Sequence, residues 1–248
     1  MDRRIIRHGV TDSTSLRAFA ALADGTAAHG DVHVASAQTA GRGRLGREWS
    51  SPPGGDLYAS VVLLPPAPGL DPVGLTMAVG LGVLRGLERL EVANLSLKWP
   101  NDVVDARGAK LAGILVESRG LQPSAPHYVA GFGVNVTRTE FPAELLRERP
   151  VTSLALCGAE TDAEQALEGI LVELEAALAQ LSTSPHVLCD DFVARAGLHG
   201  QELEVTRGSE RHRGRLLSLD LDVGLTLSSL DGEETIFPLE HVSGLRHI

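Results

Sequence analysis

The glycine-rich segment Gly41-Arg42-Gly43-Arg44-Leu45-Gly46-Arg47 is followed almost at once by Trp49-Ser50-Ser51-Pro52-Pro53-Gly54-Gly55. That succession rules out the fold such a segment most often announces. The spacing Gly41-x-Gly43-x-x-Gly46 formally matches the dinucleotide-binding fingerprint. The fingerprint needs a strand before it, a helix opening directly out of it, and an acidic residue about 20 positions on. Asp31-Val32-His33-Val34-Ala35 reads as the strand. No helix can follow, because two prolines and two glycines break it. Phosphates therefore have no helix N-terminus to sit on. Two readings of the loop remain open. It is either a basic, flexible surface loop, or an anion site where glycines let the backbone approach and arginines supply forked donors.

The downstream sequence favours the second reading. Lys98-Trp99-Pro100-Asn101-Asp102 and Lys110-Leu111-Ala112-Gly113 place two lysines and an aspartate on short strand-like segments. The chain as a whole has a formal net charge of −10, which argues against general nucleic-acid binding. Positive charge gathered in a few loops of an acidic protein suits a small anionic ligand, a nucleotide first. The nine histidines form no convincing ligand set; His29 and His33 are four apart but share no helical face.

At 248 residues, 43% hydrophobic and 22% charged, the chain suits one large domain plus a small one. No apolar run approaches the length that spans a bilayer, and Met1-Asp2-Arg3-Arg4 lacks a signal-peptide core. Cys157 and Cys189 are too few for a disulfide framework or a zinc site and read as thiols of a reducing cytoplasm.

The pattern runs from alpha/beta to all-beta. Thr11-Asp12-Ser13-Thr14 offers cap residues for a short helix over Leu16 to Leu22. Leu57 to Leu64 is a strand ended by Pro65-Pro66. Asp71-Pro72 opens a helix to about Leu90. Its four glycines (Gly74, Gly80, Gly82, Gly86) each cost about 1 kcal/mol against alanine, which close packing on a sheet would offset. Leu111 to Glu117 and Tyr128 to Val136 read as core strands. Thr161-x-x-Glu164 reads as a capping box, opening a helix with an apolar stripe from Leu167 to Leu181. Beyond Gly197, short strands at Glu202–Val205, Arg213–Leu219, Gly224–Leu230, Thr235–Phe237 and Val242–Leu245 suggest a small barrel.

Taken together, Gln38 to Trp49, Gly55-Asp56-Leu57-Tyr58, the Lys98 and Lys110 segments, and Gly131-Phe132-Gly133-Val134-Asn135-Val136 closely resemble the ordered motifs of biotin–protein ligases. The resemblance runs from Thr11 to the C-terminal strands. It implies an α+β fold: a catalytic domain over residues 1–196, with a mixed β-sheet flanked by helices as in class II aminoacyl-tRNA synthetases, and an SH3-like barrel over 197–248. It implies a two-step reaction, in which ATP activates biotin as biotinyl-5′-AMP and a lysine of a biotin carboxyl carrier domain then accepts the biotin. Mg²⁺ is expected on the phosphates.

The family's motifs carry roles onto this sequence residue by residue. Lys110 would lie between the biotin carboxylate and the α-phosphate, with Arg44 and Arg47 as further catalytic cations. Asp102 would orient the incoming amine or take its proton, although Asn-Asp after proline is also an ordinary turn. Ser13, Thr14, Gln38, Gly41, Arg42, Lys110 and Gly113 match the biotin-binding positions; Ser13 and Thr14 equally suit a helix cap. Ser15 stands where many family members have asparagine. Arg44, Arg47, Trp49, Lys98 and Asn135 fall to ATP and the adenylate, Asn135 through the adenine edge. Lys98 could instead pair with a carboxylate, and Trp49 could be a core residue. No protein metal ligand is assigned. Only about ten residues precede Thr11, so the repressor form's DNA-binding helices have no room, and operator binding is not expected. Monomer and homodimer both remain open, as does the acceptor carboxylase. The Arg-Arg and Gly-Gly-Gly pattern of lipoate ligases and octanoyltransferases is absent, and an intact Lys110 and Asp102 speak against a non-catalytic biotin sensor.

Overall fold

The computed structural model describes residues 3–64, 71–119 and 127–248. Pro65 and Pro66, expected to end a strand, lie outside them. A seven-stranded mixed sheet is built from β1 (Ile5–Thr11), β2 (Val32–Gln38), β3 (Leu57–Leu63), β4 (Ser96–Lys98), β5 (Asp102–Val104), β6 (Lys110–Ser118) and β7 (Tyr128–Val134). Their order is β1-β2-β3-β7-β6-β5-β4. Only β1 and β2 run parallel; every other neighbour is antiparallel.

The two faces of this sheet differ, and the difference creates the site. One face carries α2 (Pro72–Glu88), α4 (Ala163–Thr183) and α5 (Pro185–Arg195) over a continuous apolar core that includes Val61, Leu63, Leu75 and Leu174. Because strand side chains alternate, Val62 and Val129 point the other way. There they meet Ala18 and Phe19 of α1 (Thr14–Ala23) in a much smaller cluster. That short helix leaves much of its face open.

Asp71 caps α2 by accepting from Val73 N at 3.0 Å, with Pro72 at the first position. Two of its four glycines, Gly82 and Gly86, answer to α4, while Gly80 faces Leu97 of the sheet. A Cβ at Gly82 would stand 2.7 Å from Leu174 Cα, and one at Gly86 would stand 2.5 Å from Ile170 N. The helices therefore cross backbone to backbone. The capping box of α4 lies one residue beyond Thr161-x-x-Glu164. Asp162 accepts from Glu164 N and Gln165 N, and the Gln165 side chain accepts from Asp162 N. Glu164 turns instead to Arg7 at 2.6 Å. A short α3 (Ala143–Glu148) and α5 were not legible in the sequence.

The C-terminal strands β8 (Glu202–Arg207), β9 (Glu210–Asp220), β10 (Gly224–Ser228), β11 (Glu234–Phe237) and β12 (Gly244–His247) form a five-stranded antiparallel sheet, ordered β11-β10-β9-β8-β12. Its interior is continuous with the large core through Leu203, Val205 and Leu225. Trp99 stitches the two sheets together. Its Nε1 donates to the Val242 carbonyl at 3.0 Å, and its ring meets Phe192 edge-on.

Candidate active site

The open face of the large sheet carries a cleft of about 1000 Å³, counting its mouth. Gly113 on β6 and Gly133 on β7 lie opposite each other across the ladder, with Gly131 two residues away. The absence of side chains there leaves a floor on which the Trp49 indole rests. A Cβ at Gly113 would stand 2.8 Å from Trp49 Cζ3, and one at Gly133 the same from Cζ2. Trp49 Nε1 is enclosed, with no acceptor among the described residues.

Every site residue expected from the sequence lines this cleft except Gly41 and Lys98. Gly41 is buried just behind it, where a Cβ would stand 2.6 Å from Ser51 Oγ; its contribution is close backbone approach. Lys98 is exposed on β4, and the cleft lining does not include it. The strand turn that delivers Asp102 into the cleft leaves Lys98 outside.

Lys110 Nζ donates to Asp102 Oδ1 at 2.5 Å, both being largely buried. Burial pulls the Lys110 pKa down, Asp102 opposes this by charge and hydrogen bond, and Arg149 and Arg47 push it lower again. The two partners are fixed independently. Asn101 Nδ2 donates to the Ile114 carbonyl at 2.6 Å while Ile114 N donates to the Asn101 carbonyl at 2.9 Å, clamping the Asp102 turn onto β6. Lys110 itself is bridged through its backbone to Pro150 and Thr152.

The arginine loop folds as a tight hairpin. Gly43 N donates to the Arg47 carbonyl at 2.8 Å and Trp49 N to the Gly41 carbonyl at 3.0 Å. Leu45 and Gly46 turn it through positive φ (57° and 73°). Six cations line the cleft, yet they are not equivalent. Arg42 pairs with Glu117 at 2.7 Å, Arg138 with Asp56 at 2.5 Å, and Lys110 with Asp102. Arg149 has Glu148 at 3.8 Å. Arg44 and Arg47 face no carboxylate within ion-pair distance among the described residues. Burial lowers the Arg44 pKa, with Asp102 opposing and Arg47 adding to the shift; a guanidinium stays charged all the same. The guanidinium of Arg42, grouped in sequence with those of Arg44 and Arg47, is thus already neutralised.

At the other end of the cleft the polar groups are small and interlocked. Thr14 Oγ1 and Ser15 Oγ lie 2.8 and 3.1 Å from Ser60 Oγ. Gln38 Oε1 accepts from Thr14 N at 2.8 Å, and Gln38 Nε2 donates to Ser51 Oγ at 2.9 Å. Ser13 occupies the cap position of α1 without a side-chain cap bond, so Gln38 satisfies the helix start instead. Asn135 is buried and donates to the Thr152 carbonyl at 2.8 Å, committing one amide hydrogen to the protein.

Sequence reading missed Ser60, Arg138, Arg149 and Glu117. Ser60 had a signal, being the fully buried serine in an otherwise apolar strand. Arg138 had none. It ties Asp56, Tyr58 and Ser50 together across 80 or more residues, and Asp56 Oδ1 also accepts from Val136 N. This network gives Gly55-Asp56-Leu57-Tyr58 its purpose, which is to hold the strand entry against the end of β7.

This sheet, with a glycine-floored cleft ringed by cations, is that of the biotin/lipoate A/B protein ligases. Residues 9–135 match that family, and the chain belongs to it. It is 32% identical to the biotin–[acetyl-CoA-carboxylase] ligase of Paracoccus denitrificans over 231 residues, 91% of this chain and 95% of that one. With the Mycobacterium tuberculosis ligase of the same name it shares 38% over 200 residues, 79% and 71% of the two chains. The bifunctional ligase/repressor BirA of Bacillus subtilis matches at 35% over 147 residues, 58% of this chain; the match spans 45%, under half, of that protein. Among solved structures, biotin protein ligase from Aquifex aeolicus in complex with biotin and ATP superposes with a TM-score of 0.79 at 29% identity, covering 99% of each chain.

Proposed function

We propose that this protein is an ATP-dependent biotin–protein ligase that forms biotinyl-5′-AMP and transfers biotin to a lysine of a biotin carboxyl carrier domain. The observation that carries the reading is the Lys110–Asp102 pair sharing one cleft with Arg44 and Arg47, two cations without carboxylate partners among the described residues, and with a neutral, hydroxyl-lined slot. Drawing a carboxylate onto a triphosphate crowds anions together, and fixed cations in an enclosed site offset that cost best. Arg44 and Arg47 hold the phosphates, and Lys110 bridges the reacting carboxylate and the α-phosphate. Once the mixed anhydride has formed, Asp102 is placed to receive a hydrogen bond from the incoming amine.

Ser13, Thr14 and Gln38, with Ser60, supply the polar end of a biotin slot, with Gly41, the Arg42 backbone and Gly113 giving close approach. Trp49 and the remaining amide valence of Asn135 face the nucleotide. The acids lining the cleft are Glu48 and Asp102, the latter already paired. Among the described residues no cluster of three or more acidic, histidine or cysteine side chains could hold a metal. Magnesium, expected on the phosphates, would be carried by the nucleotide, as is usual for phosphate-borne magnesium, and would supply charge neutralisation there. Residues 1–196 form the catalytic domain and 197–248 the barrel. The exposed edge strand β1 offers a pairing surface for the carrier domain or a second copy. Among the described residues no helix is long and apolar enough to cross a membrane; we place the protein in the cytoplasm and expect no DNA partner.

The test is transfer of radiolabelled biotin to a purified carrier domain with ATP and Mg²⁺, wild type against Lys110→Ala. Labelling should fall by about 100-fold or more in the variant, the scale of losing one fixed charge-stabilising donor. Tight biotin binding by wild type without any labelling would overturn the enzyme reading.

A further inference from the structure

We infer that Glu117 is a positioning residue that anchors the arginine loop over the cleft through Arg42. Glu117 sits at the outer end of β6. Gly113, Leu115 and Glu117 follow one another at two-residue steps, so they share the face that floors the cleft. Arg42, at the root of the loop hairpin, reaches this carboxylate at 2.7 Å. The loop has its own internal bonds, but those hold the hairpin together without fixing where it points. Its flanks are tied too, by the Trp49 N bond to the Gly41 carbonyl and the backbone bridge between Arg42 and Glu48. Trp49, resting on the Gly113 and Gly133 floor, seats the descending flank on the sheet, and the Arg42–Glu117 ion pair fastens the ascending one.

The pair is unequal, and this gives it direction. The Arg42 side chain is 36% exposed and Glu117 is 17% exposed. When the loop lifts, Arg42 moves readily into water. Glu117 stays behind, enclosed, and its second oxygen has no donor among the described residues. Arg42 is the one cation within ion-pair distance of Glu117 among the described residues, and a carboxylate that loses such a partner in an enclosed place resists the change. A small cleft beneath the loop is lined by Arg42, Arg44, Thr76 and Glu117, so the ion pair closes over open space and not over a packed core. The division of labour follows: Arg42 holds the loop down, leaving Arg44 and Arg47 free for a ligand.

The consequence for turnover rests on the ligase reading. A fastened loop lengthens the dwell of an adenylate made without acceptor, because leaving or being hydrolysed requires the loop to open. The anchor itself is tested without that reading, by limited trypsin digestion of the ligand-free protein at the loop arginines. Glu117→Gln keeps size and removes the charge. Loss of one charge-assisted bond should raise nicking within residues 42–47 by about 5-fold to 10-fold, with the melting temperature little changed. Adenylate dwell time, followed by release of labelled biotinyl-AMP, should shorten by a similar factor. The charge-swapped double variant Arg42→Glu/Glu117→Arg should recover both toward wild type, with nicking scored after Arg44 and Arg47, the sites the swap leaves in place. Nicking and dwell time that stay at wild-type values in Glu117→Gln, or a swap that restores neither, would overturn the anchor. Faster nicking in a protein whose wild type makes no adenylate would support the anchor and sink the ligase reading instead.

Discussion

Replacing Gly133 with alanine is the sharpest way to ask whether the Trp49 indole is a wall of the nucleotide site. The added Cβ would stand 2.8 Å from Cζ2 and nearer still to Nε1 and Cε2. Carbon atoms settle at about 3.5–4.0 Å, so the ring must retreat by roughly 1 Å. The backbone cannot yield in its place, since β7 is buried throughout and paired on both sides by β3 and β6. Overpacking of this kind costs about 1–3 kcal/mol, which read as weakened ATP binding is about 5-fold to 150-fold. Gly131→Ala on the same strand is the counterpart. Its Cβ would stand 2.9 Å from Ser15 Oγ and 3.4 Å from Ser60 Oγ, at the hydroxyl-lined end. Calorimetric titration with ATP and with biotin separately should show Gly133→Ala losing ATP affinity and Gly131→Ala losing biotin affinity. Wild-type ATP binding by Gly133→Ala, or parallel loss of both ligands in either variant, would refute the placement of two subsites on one strand.

Other expectations follow from the same structure. Gly86→Ala should destabilise the protein by about 1–3 kcal/mol in denaturant unfolding, because its Cβ meets the Gly169–Ile170 backbone of α4. Gly80→Ala, whose nearest neighbour is Leu97 Cδ2 at 3.5 Å, should stabilise it by up to about 1 kcal/mol through helix propensity; equal effects at both sites would contradict the helix-crossing geometry. His33 lies 3.0 Å from His8 across β1 and β2, and its pKa is pulled from 6.5 to about 4 by burial first and the charge of His8 second, against Asp31. Above pH 6.5 neither folded nor unfolded chain carries that proton, so its full stability is present. As pH falls toward 4 the unfolded chain takes it up first and stability is lost. Melting temperature should drop across that window, less so in His33→Gln; an identical slope in the variant would clear the histidine pair. Arg44→Gly should raise escape of the adenylate in the absence of acceptor, and unchanged release would argue against loop retention.

Sequence alone determined which family's motifs the chain carries and which fold it avoids. Pro52-Pro53-Gly54-Gly55 forbids a helix by local backbone geometry wherever the segment lies, so the Rossmann arrangement fell without any tertiary knowledge. The five barrel strands and the apolar stripe of α4 were legible for the same reason, since periodicity is a property of neighbours in the chain. Caps were legible only to within a residue. Thr161 and Asp162 can both accept; Asp162 is the cap, with Glu164 paired to Arg7 of β1 and Gln165 closing the box in its place. What a charged side chain does was decided by what the fold puts opposite it. Nothing local distinguishes Arg42 from Arg44, yet Glu117 neutralises one while the other stays available. Nothing in Lys98-Trp99-Pro100-Asn101-Asp102 says that its lysine faces out, its tryptophan reaches the barrel, and its aspartate meets Lys110. Those pairings span 8 to 143 residues of chain. They depend on which strands become neighbours and which face each side chain takes, and only the assembled sheet determines that.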